Sequence, residues 1–152
     1  MIKIRKAKIE DLESIQAVAR DTIDKCYRSF LGDEGVDHFI NSGESDKEVK
    51  THLSNCTVLE VDDQIKGYCV AFDDFIHILM ISPRLQRGGL GSRLLLHLER
   101  ELLDSGQNKL RLETFKNNEQ AINFYQKNRW LIEREERDES FGFTRVYLVK
   151  SA

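Results

Sequence analysis

The stretch Phe75-Ile76-His77-Ile78-Leu79-Met80-Ile81-Ser82-Pro83-Arg84-Leu85-Gln86-Arg87-Gly88-Gly89-Leu90-Gly91-Ser92 decides the reading of this chain. Its first seven residues are a mostly apolar run of strand length. The segment Gln86 to Ser92 then carries three of the chain's nine glycines within the four positions Gly88 to Gly91. Directly after it, Leu90, Leu94, Leu98 and Leu102, with Leu95 beside them, form one stripe of a helix that stops at Gly106. A glycine-rich loop between a strand and a helix leaves backbone N–H groups exposed at a helix start, where the macrodipole adds about half a positive charge. Such a loop is shaped for a phosphate or pyrophosphate, and Arg84, Arg87 and Arg93 add formal charge nearby. A glycine-rich turn decorated with exposed arginines is the alternative that the cluster alone leaves open.

Two nucleotide folds are excluded by the same residues. The loop has no GK[ST] ending, so it offers no lysine to a γ-phosphate and no hydroxyl to magnesium. It also lacks the GxGxxG spacing and does not open a βαβ unit, because a meander precedes it. That meander reads as strands from Cys56 to Val61, Ile65 to Phe72 and Phe75 to Ile81, with turns at Asp62-Asp63 and Asp73-Asp74.

Further upstream, Ile2 and Ile4 suggest a first strand. Leu12, Ile15, Ala19, Ile23, Cys26, Tyr27 and Phe30 step by three and four along a first helix. Ser45-Asp46-Lys47-Glu48 has the SxxE form of a capping box opening a second, short helix towards Leu53. Downstream, Leu110 to Thr114 reads as a strand and Asn118 to Asn128 as a helix. Trp130 to Arg137 and Phe143 to Val149 read as a closing hairpin. The order β, α, α, three β, α, β, α, β, β predicts an α/β (α+β) domain, with a mixed central sheet of about seven strands and about four helices.

Bulk properties agree with one domain spanning residues 1–152. A chain of 152 residues with 40% hydrophobic content buries about two thirds of its unfolded surface. The formal charge of -3 and pI near 5.8 argue against nucleic acid, which needs a net basic face. Cys26, Cys56 and Cys69 are odd in number and lack a CxxC pair, so neither a disulfide framework nor a metal site is indicated. The N-terminus lacks the apolar core of a signal peptide, and no run reaches the roughly 20 apolar residues of a membrane span. A cytoplasmic location follows as an expectation, with neither membrane nor nucleic acid among the partners.

Gln86-Arg87-Gly88-Gly89-Leu90-Gly91 matches QxxGxG, and Asn118-Glu119-Gln120-Ala121-Ile122-Asn123-Phe124-Tyr125 matches NxxAxxFY. Together and in this order they resemble the GNAT (GCN5-related) N-acetyltransferase superfamily. The resemblance is close from about Ile65 to Trp130 and only in outline over the first sixty residues. It implies an acetyl-CoA-dependent N-acetyltransferase in which an amine attacks the thioester directly within a ternary complex. Gln86, Arg87, Gly88, Gly89, Leu90, Gly91 and Ser92 would cradle the pyrophosphate. Leu79, Met80 and Ile81 would offer backbone groups to the pantetheine arm, and Asn118 would hydrogen-bond the same arm. Tyr125 would protonate the departing thiolate. A regulatory module that binds acyl-CoA without turnover is the runner-up. The acceptor would be an amine of a small molecule, peptide or protein, and a homodimer is compatible with the family.

The base is the harder assignment. A lysine-type amine with a pKa near 10.4 is deprotonated in only about one molecule in 2,500 at pH 7, about 4.6 kcal/mol uphill, whereas an α-amino group near 7.7 costs about 1 kcal/mol. Glu113, five residues before Asn118, is the first choice. Its spacing from Asn118 and Tyr125 resembles that of the base and acid in ribosomal-protein N-terminal alanine acetyltransferases. The competing reading is a solvated strand-end glutamate paired with Lys109 or Arg111. His77 and a water chain are the other candidate bases, since histidine titrates in the useful range. Tyr125 read without the motif is a core tyrosine with its hydroxyl at the rim. Asp33, Glu34 and Asp37, near Tyr27, Phe30 and Phe39, could rim a site for a cationic amine or simply be a solvated helix turn. Arg129 and Trp130 stand where the family usually has glycine and phenylalanine. A left-handed residue at Arg129 would cost about 1 kcal/mol, and Asn128, which tolerates that conformation better, could end the helix one residue earlier.

Overall fold

The structure, a computed structural model, describes residues 1–140 and 142–152. Among the described residues there are seven strands and six α-helices. The strands are β1 (Ile2–Lys6), β2 (Cys56–Val61), β3 (Gln64–Phe72), β4 (Phe75–Ile81), β5 (Lys109–Phe115), β6 (Leu131–Asp138) and β7 (Phe143–Ser151). The helices are α1 (Leu12–Cys26), α2 (Arg28–Leu31), α3 (Asp33–Asn41), α4 (Glu44–Thr51), α5 (Leu90–Asp104) and α6 (Glu119–Lys127). Hydrogen bonds join the strands in the order β1-β2-β3-β4-β5-β7-β6, a mixed sheet, which bears out the expected fold class. No helix among the described residues is long and apolar enough to cross a membrane.

The chain forms two compact units. The first comprises Met1–Ala71 and Ile78–Leu98, and the second Phe72–His77 and Glu99–Ala152. In the first, β1 and β2 pair antiparallel from Ile2 with Val61 to Lys6 with Thr57, and β2 pairs antiparallel with β3. Asp62 and Asp63 both take left-handed φ values, 50° and 67°, as a tight two-residue hairpin turn requires. Ile15, Ala19 and Ile23 of α1 are buried, as are Val58, Leu59, Tyr68 and Val70 of the strands and Leu94 and Leu95 of α5. Gly67 in β3 is fixed by close approach: a Cβ there would lie 2.6 Å from Ile81 Cδ1 and 3.0 Å from the Met80 carbonyl oxygen.

The helical count exceeds the expected four because residues 28–51 break into three short helices. Gly32, at φ 81°, ends α2, and Gly43, at φ 86°, precedes α4; both angles suit glycine and strain other residues. The first helix stops at Cys26, with Tyr27 as its C-cap, instead of running on to Phe30. The expected capping box is not formed. Helix α4 starts at Glu44 with Gly43 as its N-cap, so Ser45 lies inside the helix, buried, with its hydroxyl unpartnered.

In the second unit, β4 pairs parallel with β5 at Phe75–Arg111 and Ile76–Leu112. Strand β5 pairs antiparallel with β7 along its whole length, and β7 with β6. Leu110 and Leu112 of β5 share a buried face with Val146 and Leu148 of β7, and Trp130 is 1% exposed. Alternation sends Arg111 and Glu113 to the other face.

Candidate functional site

The glycine loop lies in the first unit. Pro83 opens a single 3-10 turn, Pro83–Leu85, which carries the chain from β4 into the glycine loop. Arg87 and Gly89 take φ values of 70° and 82°. The first helical bond of α5 runs from the Arg93 N–H to the Gly89 carbonyl at 3.1 Å. Among the described residues, the N–H groups of Gly88 through Ser92 donate to no acceptor of the chain. Five consecutive unsatisfied donors at a helix start make an anion site. Gln86 acts differently from its neighbours. Its Nε2 donates to the Ile81 carbonyl oxygen at 3.0 Å and lies 3.5 Å from Cys26 Sγ, so its side chain braces the loop against the end of β4. Met80 and Ile81 are buried and Leu79 is half-buried. Tyr68 donates its hydroxyl to Met80 Sδ at 3.5 Å, and burial pushes that phenol well above its ordinary range. Burial also raises the Cys56 thiol to about 12, which makes it a poor nucleophile.

Asn118, Glu113 and Tyr125 lie in the second unit. Asn118 is not inside α6; it is the N-cap, and its Oδ1 accepts the Ala121 N–H at 3.4 Å. Its Nδ2 lies 3.4 Å from Thr114 Oγ1. Tyr125 is 8% exposed and meets Trp130 edge-on, ring centroids 5.8 Å apart. Glu113 stands opposite Tyr147 in the β5–β7 ladder. Its carboxylate accepts from Arg145 at 3.2 Å, and the same arginine reaches Asp138 at 3.4 Å. The expected partners of Glu113 are taken elsewhere: Lys109 pairs with Glu133 and Arg111 with Asp74. Lys150, which shares the buried face of β7 with Val146 and Leu148, reaches the C-terminal end of α6. Glu113 and Arg145 occupy the opposite face.

His77 is half-buried, with its ring 5.9 Å from Phe72 and 6.3 Å from Phe75, an aromatic packing position. The acidic rim is resolved by a residue that the sequence did not single out. Arg28 binds Asp24, Asp33 and Asp37 together, and this contact holds the Asp24 carboxyl below its ordinary range. Two of the three expected rim acids, Asp33 and Asp37, are thereby ion-paired, sharing one cation with Asp24.

The α6 terminus corrects one expectation. Asn128 keeps φ -93°, and Arg129 itself is left-handed at φ 71°. The Trp130 N–H bonds to the Tyr125 carbonyl and the Arg129 N–H to the Gln126 carbonyl, each at 3.0 Å. These two bonds form a Schellman motif, and the Trp130–Tyr125 ring contact is its hydrophobic complement. They offset the strain of a non-glycine residue at Arg129.

A cavity of about 560 Å³ in the first unit is lined by Arg5, Asp11, Asp21, Glu60, Asp63 and Lys66, among others, and includes none of the expected site residues. Arg5 is already spent on Asp11 and Glu60, at 2.8 and 2.9 Å. The cavity is therefore no rival to the glycine loop.

Comparison with known proteins places these features. A model of the acetyltransferase (GNAT) family matches residues 17–129. A spermidine N(1)-acetyltransferase of Thermoplasma acidophilum is 26% identical over 144 residues, covering 87% of this chain and 89% of the relative. The crystal structure of the PaiA N-acetyltransferase of the same organism, in complex with coenzyme A, shares the fold at a TM-score of 0.84 and 22% identity, covering 100% of this chain and 99% of that one. The ribosomal-protein-S18-alanine N-acetyltransferase of Escherichia coli also shares the fold, at 0.73 and 19%, covering 99% and 94%. The family model takes in the glycine loop, the N-cap of α6 and Tyr125, and the chain belongs to the GNAT family as an acetyl-CoA-dependent acetyltransferase.

Proposed function

We propose that this chain, acting as one domain in the cytoplasm, moves the acetyl group of acetyl-CoA to a primary amine of a polyamine-type acceptor by direct attack in a ternary complex. The observation that carries the reading is the run of undonated N–H groups from Gly88 to Ser92 at the start of α5. Arg87 and these donors hold the pyrophosphate, and Gln86 keeps the loop braced. The backbone of Leu79, Met80 and Ile81 lines the pantetheine arm. Asn118 addresses that arm through Nδ2, because its Oδ1 is committed to the cap.

The amine nitrogen attacks the thioester carbonyl carbon, the C–S bond breaks, and the nitrogen loses a proton. Glu113 takes that proton directly or through a water, and Tyr125 gives one to the sulfur. A phenol with a pKa near 10 is protonated at pH 7 and so has a proton to give, and the phenolate left behind regains one from solvent. A polyamine amine titrates in the lysine range and so needs the base. The polyamine assignment is supported by the spermidine-acetylating relative and by the acidic balance of this chain, which is formally -3.

The test is thiol release from acetyl-CoA with a panel of spermidine, an amino-sugar and a peptide with an N-terminal alanine. Release dependent on spermidine is the expected result. Preference for the peptide would overturn the acceptor, and release with none of the three would overturn turnover in favour of a binding module. Glu113→Gln tests the base separately. A fall of about 100-fold in kcat is the usual size for a lost acid-base group, and an unchanged kcat would move the role to His77 or to water.

A further inference from the structure

We propose that Glu99 is a positioning residue for Tyr125, acting with Lys150 through the indole of Trp130. The inference rests on the reading of Tyr125 as the acid.

Glu99 is 5% exposed and lies on α5, outside both motifs. Its Oε2 accepts the Trp130 indole N–H at 3.0 Å and its Oε1 accepts from Lys150 Nζ at 2.8 Å. The same ammonium donates to the Asn128 carbonyl oxygen at 2.9 Å. Asn128 is the C-cap of α6, and its Nδ2 returns to the Phe124 carbonyl at 2.9 Å. Every link ends on the turn that carries Tyr125. The indole packs on the phenol ring, the Trp130 N–H bonds to the Tyr125 carbonyl, and the cation sits on the carbonyl end of the helix, where a positive charge is favoured.

Stability alone does not account for this arrangement. Desolvating a carboxylate and an ammonium is expensive, and well-packed apolar side chains commonly serve a fold as well or better. A buried ion pair does supply direction. The carboxylate fixes the indole plane, and the indole in turn limits where the Tyr125 ring can turn. The placing of a reacting group counts in the rate, since a misplacement of about 1 Å can cost about 100-fold. The strained Arg129 falls within the same turn, so the clamp also secures a helix end that lacks the usual glycine.

The experiment compares wild type, Glu99→Gln, Tyr125→Phe and the double variant of the full chain, with acetyl-CoA and spermidine as substrates. In Glu99→Gln the amide cannot accept from both Trp130 and Lys150, since one end would present N–H groups to a donor. The expected result is a fall in kcat of about ten-fold, less than the roughly 100-fold of a full 1 Å misplacement, with KM for acetyl-CoA unchanged. In the Tyr125→Phe background the same change should have no further effect, because there is no longer a hydroxyl to place. Trp130 is the chain's one tryptophan, so its fluorescence should shift in Glu99→Gln and report the loosened clamp directly. Glu99→Met with Lys150→Met removes both charges and keeps the comparison open if the single variant does not fold.

A Glu99→Gln loss that multiplies in full with Tyr125→Phe would overturn the positioning role. An unchanged kcat in Glu99→Gln, with Tyr125→Phe impaired, would overturn it and leave the acid standing. An unimpaired Tyr125→Phe would remove the acid and this inference with it.

Discussion

Two arginines in this chain hold the same unfavourable backbone conformation for opposite reasons. Arg87 in the glycine loop has φ 70° and Arg129 after α6 has φ 71°. Around Arg129 the backbone is paired: its own N–H and that of Trp130 complete a Schellman motif, and Lys150 takes the Asn128 carbonyl. Around Arg87 the backbone is left open, with the N–H groups from Gly88 to Ser92 donating to no acceptor among the described residues. One left-handed residue closes a helix and the other opens one. Strain offset by internal bonds makes a rigid support, and strain beside unsatisfied donors makes a receptor.

The contrast is tested most severely at the rigid end. Tyr125→Phe should lower kcat about 100-fold and leave KM for acetyl-CoA unchanged, as steady-state kinetics would show. A rise in KM with kcat intact would instead make Tyr125 part of the binding surface. At the receptor end, Gly89→Val should raise KM for acetyl-CoA by about ten-fold, since a β-branched residue in a left-handed conformation costs about 1–2 kcal/mol. A Cβ at Gly89 meets nothing within 4 Å, so the effect would come from re-aimed N–H groups and not from a clash. Titration of coenzyme A by calorimetry checks it. The smallest effects separate the two arginines. Arg129→Gly should relieve about 1 kcal/mol of strain and raise the melting temperature by about 3 °C, with little change in turnover. Arg87→Gly should bring a similar gain in melting temperature and, if Arg87 holds the pyrophosphate as proposed, a weaker grip on coenzyme A. Equal behaviour of the two variants in the binding assay would erase the distinction.

Legibility in the sequence followed the range of the interactions. Strand β4 runs from Phe75 to Ile81, as its apolar run predicts, and α5 starts at Leu90, where the leucine stripe begins. These elements are set by residues a few positions apart. Glu113 falls opposite Leu112 because strand alternation is local too. The failures are of two kinds. Between residues 28 and 51 the apolar spacing continues across Gly32 and Gly43, so periodicity alone does not show that those glycines divide it, and Ser45 sits in a capping pattern that the backbone does not use. The second kind is long-range pairing. Glu99 and Lys150 are 51 residues apart and Glu113 and Arg145 are 32 apart, and neither pair leaves a mark in the local sequence. Arg28 was closer to view, since Asp24, Asp33 and Asp37 all fall within nine residues of it.

Gly67 has a consequence for anyone who mutates this enzyme at random. Because even a methyl group there would press on the Met80 carbonyl as well as on Ile81, position 67 should appear in a saturation library as one that is depleted of substitutes, the larger ones most. It lies nineteen positions before Gln86, and a selection for activity alone would assign it to the catalytic machinery. Measuring soluble yield beside turnover would tell the two apart, since substitutions at Gly67 should deplete both and those at Gly89 chiefly the second.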